Sequence, residues 1–83
     1  MNKVLVNVFF PATDEKYDVW IPLNKTIFSV ISLITKGSSE LNNGIYHNKI
    51  FPIMYNKFTG EYYNYNSIVQ DTNIKNGTEL ILI

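Results

Sequence analysis

Cysteine is missing from this chain altogether, and so is arginine. Without a thiol there can be no cysteine nucleophile, no disulfide framework and no thiolate metal site, a composition in keeping with a reducing cytosol. The seven positive charges are all lysines (Lys3, Lys16, Lys25, Lys36, Lys49, Lys57 and Lys75), scattered along the chain and balanced by seven acids. Phosphate recognition favours clustered charge and the forked guanidinium, so neither nucleic acid nor an anionic membrane surface is an expected partner. Histidine occurs once, at His47, with no ligand or base at a workable spacing, which argues against a metal site or an acid–base pair. No apolar run approaches the roughly 18 residues of a membrane span. Met1-Asn2-Lys3 followed by Val4 to Phe10 is interrupted at Asn7 and closed by Pro11, so it reads as a strand rather than a secretory signal. The expectation is a soluble, cytoplasmic protein without membrane insertion. Asn24-Lys25-Thr26 and Asn76-Gly77-Thr78 match the glycosylation sequon but are read as cap and turn residues, because no export signal would bring them to the modifying enzymes.

What the chain does have is enough apolar material to fold. Of its 83 residues 46% are hydrophobic and 17% charged, which points to one core and a single domain over residues 1–83. A chain of this size buries only about 60–65% of its unfolded surface, so its stability should be modest.

Val4, Val6 and Val8 alternate with Leu5, Asn7 and Phe9, the period of two that marks a strand with one face on a core. After the turn-prone Pro11 to Lys16, Tyr17, Val19 and Ile21 alternate with Asp18 and Trp20 up to Pro22, completing a hairpin. Ile27, Val30, Ile31 and Ile34 then recur at helical spacing within an arc of roughly 100°, with Leu41 in the same arc if the helix runs that far. Thr26 is the N-cap, and Gly37-Ser38-Ser39 leaves the helix end open between Lys36 and Leu41. Asn42-Asn43-Gly44 is a turn, and a loop through His47 leads to a short strand around Ile53, Met54 and Tyr55, with Pro52 at its start. A small strand is possible at Glu61-Tyr62-Tyr63. Asp71 is read as a side-chain cap, and the Asn76-Gly77 turn delivers a last strand from Leu80 to Ile83.

The order hairpin, helix, short strands, final strand lets the helix cover one sheet face while the last strand returns beside the first in parallel, by a right-handed crossover. The fold class is α+β in two layers.

Specific residues add a resemblance to this layout. Ile21-Pro22 followed by Thr26-Ile27-Phe28-Ser29-Val30 resembles the strand end, proline and helix start of ubiquitin-like β-grasp proteins. Val69 to Leu82 resembles their pattern of aliphatic, Asp, Ile, Gly turn and alternating leucines. Within that superfamily the chain looks most like the YukD/EsaB group, small proteins associated with the type VII (Ess/Yuk) secretion system of Firmicutes. The long asparagine- and tyrosine-rich segment from Asn42 to Asn66 and the glycine in the helix depart from the group's pattern. The resemblance implies a mixed sheet of four to five strands in the order 2-1-5-3 with one helix on one face. It also implies a non-catalytic adaptor or regulator that binds a protein partner, possibly a secretion component, without a cofactor. Conjugation and sulfur transfer need a flexible Gly-Gly tail, whereas Ile83 still lies in the strand pattern.

If Val4, Val6, Val8, Val19, Ile21, Leu80 and Leu82 point to the core, alternation sends Leu5, Asn7, Trp20, Met54, Ile81 and Ile83 to the face opposite the helix. An apolar face of that kind marks a binding surface, so Leu5, Trp20, Met54, Ile81 and Ile83 are the expected protein-binding residues. By the resemblance, Met54 and Ile83 match positions of ubiquitin's own partner-binding patch. Self-association of a structural β-grasp module through an edge strand or this patch is the alternative. No catalytic constellation is apparent: Asp14-Glu15 are turn residues, and Ser29 and Ser32 lie on the helix without a base nearby in sequence.

Overall fold

The computed structural model describes residues 2–41 and 51–83, with no side-chain description for 36–41. The expected Asn42-Asn43-Gly44 turn and the His47 loop therefore lie outside the described residues, and nothing is described of the Leu41 side chain expected on the helix arc.

Alternation along the first two segments produces the hairpin β1 (Lys3–Phe10) and β2 (Glu15–Pro22), paired antiparallel from Lys3 opposite Pro22 to Phe10 opposite Glu15. Helix α1 (Ile27–Leu41) comes next, then β3 (Met54–Asn56), a 3-10 turn at Val69–Asp71, and β4 (Glu79–Leu82). The sheet order is β2-β1-β4-β3, with β4 parallel to β1 and β3 antiparallel to β4. The expected order holds, with the last strand numbered fourth rather than fifth. The possible strand at Glu61-Tyr62-Tyr63 shrinks to one bridge, Tyr62 opposite Tyr55.

Asn56 accounts for that short excursion. Its Oδ1 accepts from the N–H groups of Phe58 (2.8 Å) and Thr59 (3.1 Å), while its carbonyl accepts from Gly60 N–H (2.9 Å). This tight turn, with Gly60 at φ +74°, brings Glu61 and Tyr63 back for single bonds to β3. The chain then leaves the sheet to close the helix start. Ile27 N–H donates to Ser67 O (2.8 Å) and Phe28 N–H to Tyr65 O (3.0 Å), so a distant loop takes two of the donors that a helix N-terminus leaves unpaired. Thr26 takes another as expected: its Oγ1 accepts from Ser29 N–H at 3.1 Å. The helix runs through Gly37 to Leu41, so the propensity cost of about 1 kcal/mol for a helical glycine does not end it.

The core lies between α1 and the inner face of the sheet. Val4, Val6, Val8 and Phe10 of β1 and Leu80 and Leu82 of β4 face Ile27, Val30, Ile31 and Ile34 of the helix, all buried. Ile21 is buried with them, while Val19 is only half-buried because β2 is an edge strand. Val69 and Ile74 close the core from the last loop. There Thr72, not Asp71, makes the side-chain bonds: its hydroxyl donates to Val69 O (2.6 Å) and accepts from Ile74 N–H (3.2 Å). Val69 O also accepts the backbone N–H of Thr72 (3.0 Å), so the threonine closes the turn with both its main chain and its hydroxyl, and Asp71 stays exposed.

Val6→Ala and Ile31→Ala, each at a site no more than 1% exposed, should destabilise the fold by about 1–4 kcal/mol. Urea unfolding should show this as a lower midpoint at unchanged slope. A second expectation concerns alkaline pH. Tyr63 donates its O–H to Asn73 Oδ1 (2.7 Å) and accepts from Asn56 Nδ2 (3.0 Å). Partial burial, chiefly, holds its phenol above the ordinary value of 10.0; the bond from Asn56 pulls the other way and the Glu61 charge adds to the rise. A pKa raised by folding means that the stabilisation is complete below the unfolded value and is lost as pH climbs through the folded one. Stability should therefore fall above about pH 10, and Tyr63→Phe should blunt that fall when urea midpoints are compared across alkaline pH.

Candidate protein-binding face

One helix covers one face of the sheet, so the other face is built from the alternate residues of each strand. The register fixes their rows. Leu5 lies opposite Trp20; Asn7 lies between Asp18 and Glu79; Phe9 lies between Lys16 and Ile81. Across β4, Ile81 lies opposite Tyr55, and Ile83 exchanges backbone bonds with Ile53 (2.9 and 3.0 Å).

Met54 is not on this face. It sits opposite Leu82, residues directly opposite in an antiparallel pair share a face, and Leu82 points into the core, so Met54 is fully buried. The expected outward position was off by one residue, and a slip of one exchanges the faces. Tyr55 and Ile53 point outward instead, and Asn56 points inward, where its hydrogen bonds satisfy it. Trp20 (58% exposed) and Ile83 (56%) are exposed as expected, and Leu5 and Ile81 are half-covered.

The remaining four expected residues do not form one patch. A polar row, Asp18–Asn7–Glu79–Lys57, crosses the sheet between them. Asn7 Nδ2 donates to Asp18 Oδ1 (3.2 Å), and Lys57 Nζ pairs with Glu79 Oε1 (3.1 Å). Trp20 and Leu5 lie on one side of this row. Phe9, Ile81, Tyr55, Ile83 and Ile53 lie on the other, joined by Tyr62, whose ring meets Tyr55 edge-on at 6.4 Å. Leu5 and Phe9 are four residues apart on one strand, or about 13 Å at ~3.3 Å per residue. The larger group holds a depression of about 350 Å³ over Phe9 and Ile81, rimmed by Asp14, Lys16, Lys57 and Glu79. Trp20 also stands at the free edge of β2, where a pocket of about 80 Å³ reaches Leu33 of the helix. The alternation that marks Val8 as core also marks Phe9 as outward, so that signal was readable; nothing in the sequence alone pairs Tyr62 with Tyr55.

Such a surface can bind another apolar surface. Among the described residues no three His, Cys, Asp or Glu are grouped to hold a metal ion, and no helix is long and apolar enough to cross a membrane.

No family model matches the sequence, and no curated protein does. Solved structures do match. The ubiquitin-like domain of the Mycobacterium tuberculosis type VII secretion system protein EccD1 superposes with a TM-score of 0.76 at 12% identity, over 100% of this chain and 99% of that one. The fold is ubiquitin-like. A chain of the MycP5-free ESX-5 inner membrane complex superposes with a TM-score of 0.78 at 10% identity, over 100% of this chain and 21% of that one. The ubiquitin-like domain of an Arabidopsis thaliana protein gives 0.72 at 16%, over 100% and 78%. The chain is thus a ubiquitin-like module similar to a domain of a type VII secretion component.

The corrected register has a direct consequence. Met54→Ala should cost about 2–5 kcal/mol of stability as a core truncation, whereas Trp20→Ala should stay within about 0.5 kcal/mol as a surface one. Chemical denaturation of the two variants side by side should reproduce that contrast, and equal effects would contradict the register.

Proposed function

We propose that this chain is a non-catalytic ubiquitin-like adaptor or regulator, a single cytoplasmic domain of the YukD/EsaB kind that serves as an accessory component of a type VII (Ess/Yuk) secretion system in Firmicutes. The observation that carries the reading is the uncovered apolar half of the outer sheet face, where Ile53, Tyr62 and Ile83 are exposed beside Ile81 and Tyr55. Contiguous apolar surface on a soluble protein marks an interaction site, and the depression over Phe9 and Ile81 would take an apolar anchor from a partner. The similarity to domains of the mycobacterial secretion apparatus supports the assignment of the system. The partner is a protein component of that machinery; no cofactor, nucleic acid or membrane insertion enters the reading.

Self-association is the second reading, supported by the eight-residue strand β2, an edge of the sheet among the described residues. Light scattering separates the two, since a stable dimer favours it.

Ile81→Asp should weaken capture of the cytoplasmic secretion components by roughly 2 kcal/mol or more, as truncation of an interface anchor does. Trp20→Ala tests the smaller group across the polar row, and Gln70→Ala, exposed and away from the sheet face, should bind normally. Circular dichroism must show each variant folded. Normal binding by folded Ile81→Asp and Trp20→Ala would place the interface elsewhere.

A further inference from the structure

The turn that seats β4 beside β1 is Asn76-Gly77, and both of its residues are tied to one residue of β1. Leu5 N–H donates to Asn76 Oδ1 (2.8 Å), and Gly77 N–H donates back to Leu5 O (2.8 Å). Lys75 and Thr78 close the turn beneath them, with Thr78 N–H on Lys75 O (3.0 Å) and Lys75 N–H on Thr78 Oγ1 (2.9 Å). Gly77 has φ +88°, and a Cβ there would touch nothing, so glycine is present for its backbone conformation rather than for space.

Asparagine followed by glycine is also the pair most open to an internal reaction, because no Cβ shields the side-chain amide from the next backbone nitrogen. Gly77 N loses its proton and bonds to Asn76 Cγ, and the Cγ–Nδ2 bond breaks, releasing ammonia and leaving a five-membered imide. Water then opens the imide at one of its two carbonyls, giving aspartate or isoaspartate. In the closed turn, the proton that must leave is held by Leu5 O, and the amide that must be attacked is held by Leu5 N–H. The bond to Leu5 O must break before Gly77 N can lose its proton, and the bond from Leu5 N–H restrains the amide in its present orientation. Both residues are exposed, so water has access to them.

We propose that Asn76 is a deamidation site gated by the β1–β4 joint: inert while Leu5 holds both groups, reactive when the joint opens. The two products act differently on the joint. Aspartate keeps an oxygen for Leu5 N–H. Isoaspartate adds a methylene to the main chain ahead of Gly77 N, which displaces the N–H that Leu5 O receives. A joint that has opened for long enough to form isoaspartate no longer closes in register, so the modification is a one-way record of opening.

The test incubates the whole protein at mildly alkaline pH, alone and in urea below its unfolding midpoint, beside a free peptide of sequence Ile-Lys-Asn-Gly-Thr-Glu. Peptide mapping by mass spectrometry separates Asn76 from Asn43, which also precedes a glycine, and enzymatic carboxyl methylation counts isoaspartate. The native protein should deamidate at Asn76 at least about tenfold more slowly than the peptide, the protection that an opening free energy of ~1.4 kcal/mol provides. Urea should raise the rate, and the core variant Val8→Ala should raise it without urea. A native rate equal to the peptide's, a rate indifferent to urea and to Val8→Ala, or no deamidation of the peptide itself would each overturn the proposal.

Discussion

The parallel pairing of the first strand with the last is the constraint on which the rest depends. Asn7, Val8 and Phe9 meet Glu79, Leu80 and Ile81, and Leu5 is bonded to Asn76 across 71 positions of sequence. Closing so long a loop costs entropy that no local contact returns, so the joint must be held by what forms on either side of it. On the inner side that is the burial of Val6, Val8, Leu80 and Leu82 under α1. At its end it is the two-way grip of Leu5 on the Asn76-Gly77 turn. Among the described strands β3 pairs only with β4, so its place in the sheet depends on β4. The helix start depends on the same closure, because the loop leading to β4 supplies the carbonyls of Tyr65 and Ser67 that its first N–H groups need.

That arrangement explains why the outer face is open and why it is divided. With one helix and one sheet, half of the alternating residues have no layer to cover them. Their character is left to the sequence rather than to packing. Here three strands and the residue after β3 carry polar side chains at the same level, Asp18 beside Asn7 and Lys57 beside Glu79, and each pair is bonded within itself. The exposed ion pair contributes at most about 1 kcal/mol to stability. Its larger effect is to interrupt what alternation alone would have made a continuous apolar strip.

The parts of the fold legible in the sequence are those in which one strand or helix carries its own evidence. Val4, Val6 and Val8 declare the buried face of β1 without reference to any partner, and Thr26 with Ile27, Val30, Ile31 and Ile34 declares the start and inner face of α1. The order of elements then leaves few topologies. β3 was misjudged because it is three residues long, too short for its own pattern to fix a face. Met54 and Tyr55 are both apolar enough for either side, and only the pairing with Leu82 and Ile81 decides between them. Aspartate at position 71 suggested a cap by its type, but the geometry of the 3-10 turn selected the neighbouring threonine. Of the candidate site, Trp20, Leu5, Ile81 and Ile83 could be read from alternation. The division between them could not, because it depends on which residue of β4 stands level with Asn7.

The division also bears on how such a face discriminates among partners. A fold shared at 10–16% identity carries no function with it, so the reading must rest on the surface itself. A partner confined to the group around Ile81 and Ile83 needs only apolar complementarity. One that extends across to Trp20 must cover Glu79, Lys57, Asp18 and Asn7, and taking a paired charge out of water costs more than the pair returns unless new hydrogen bonds complete it. A flat apolar surface of the same extent would therefore be held by one half only. A surface that places a donor over Asp18 or Glu79 and an acceptor over Lys57 would be held by both. If this face binds as proposed, the polar row would add little to affinity and would fix the register in which a partner can lie.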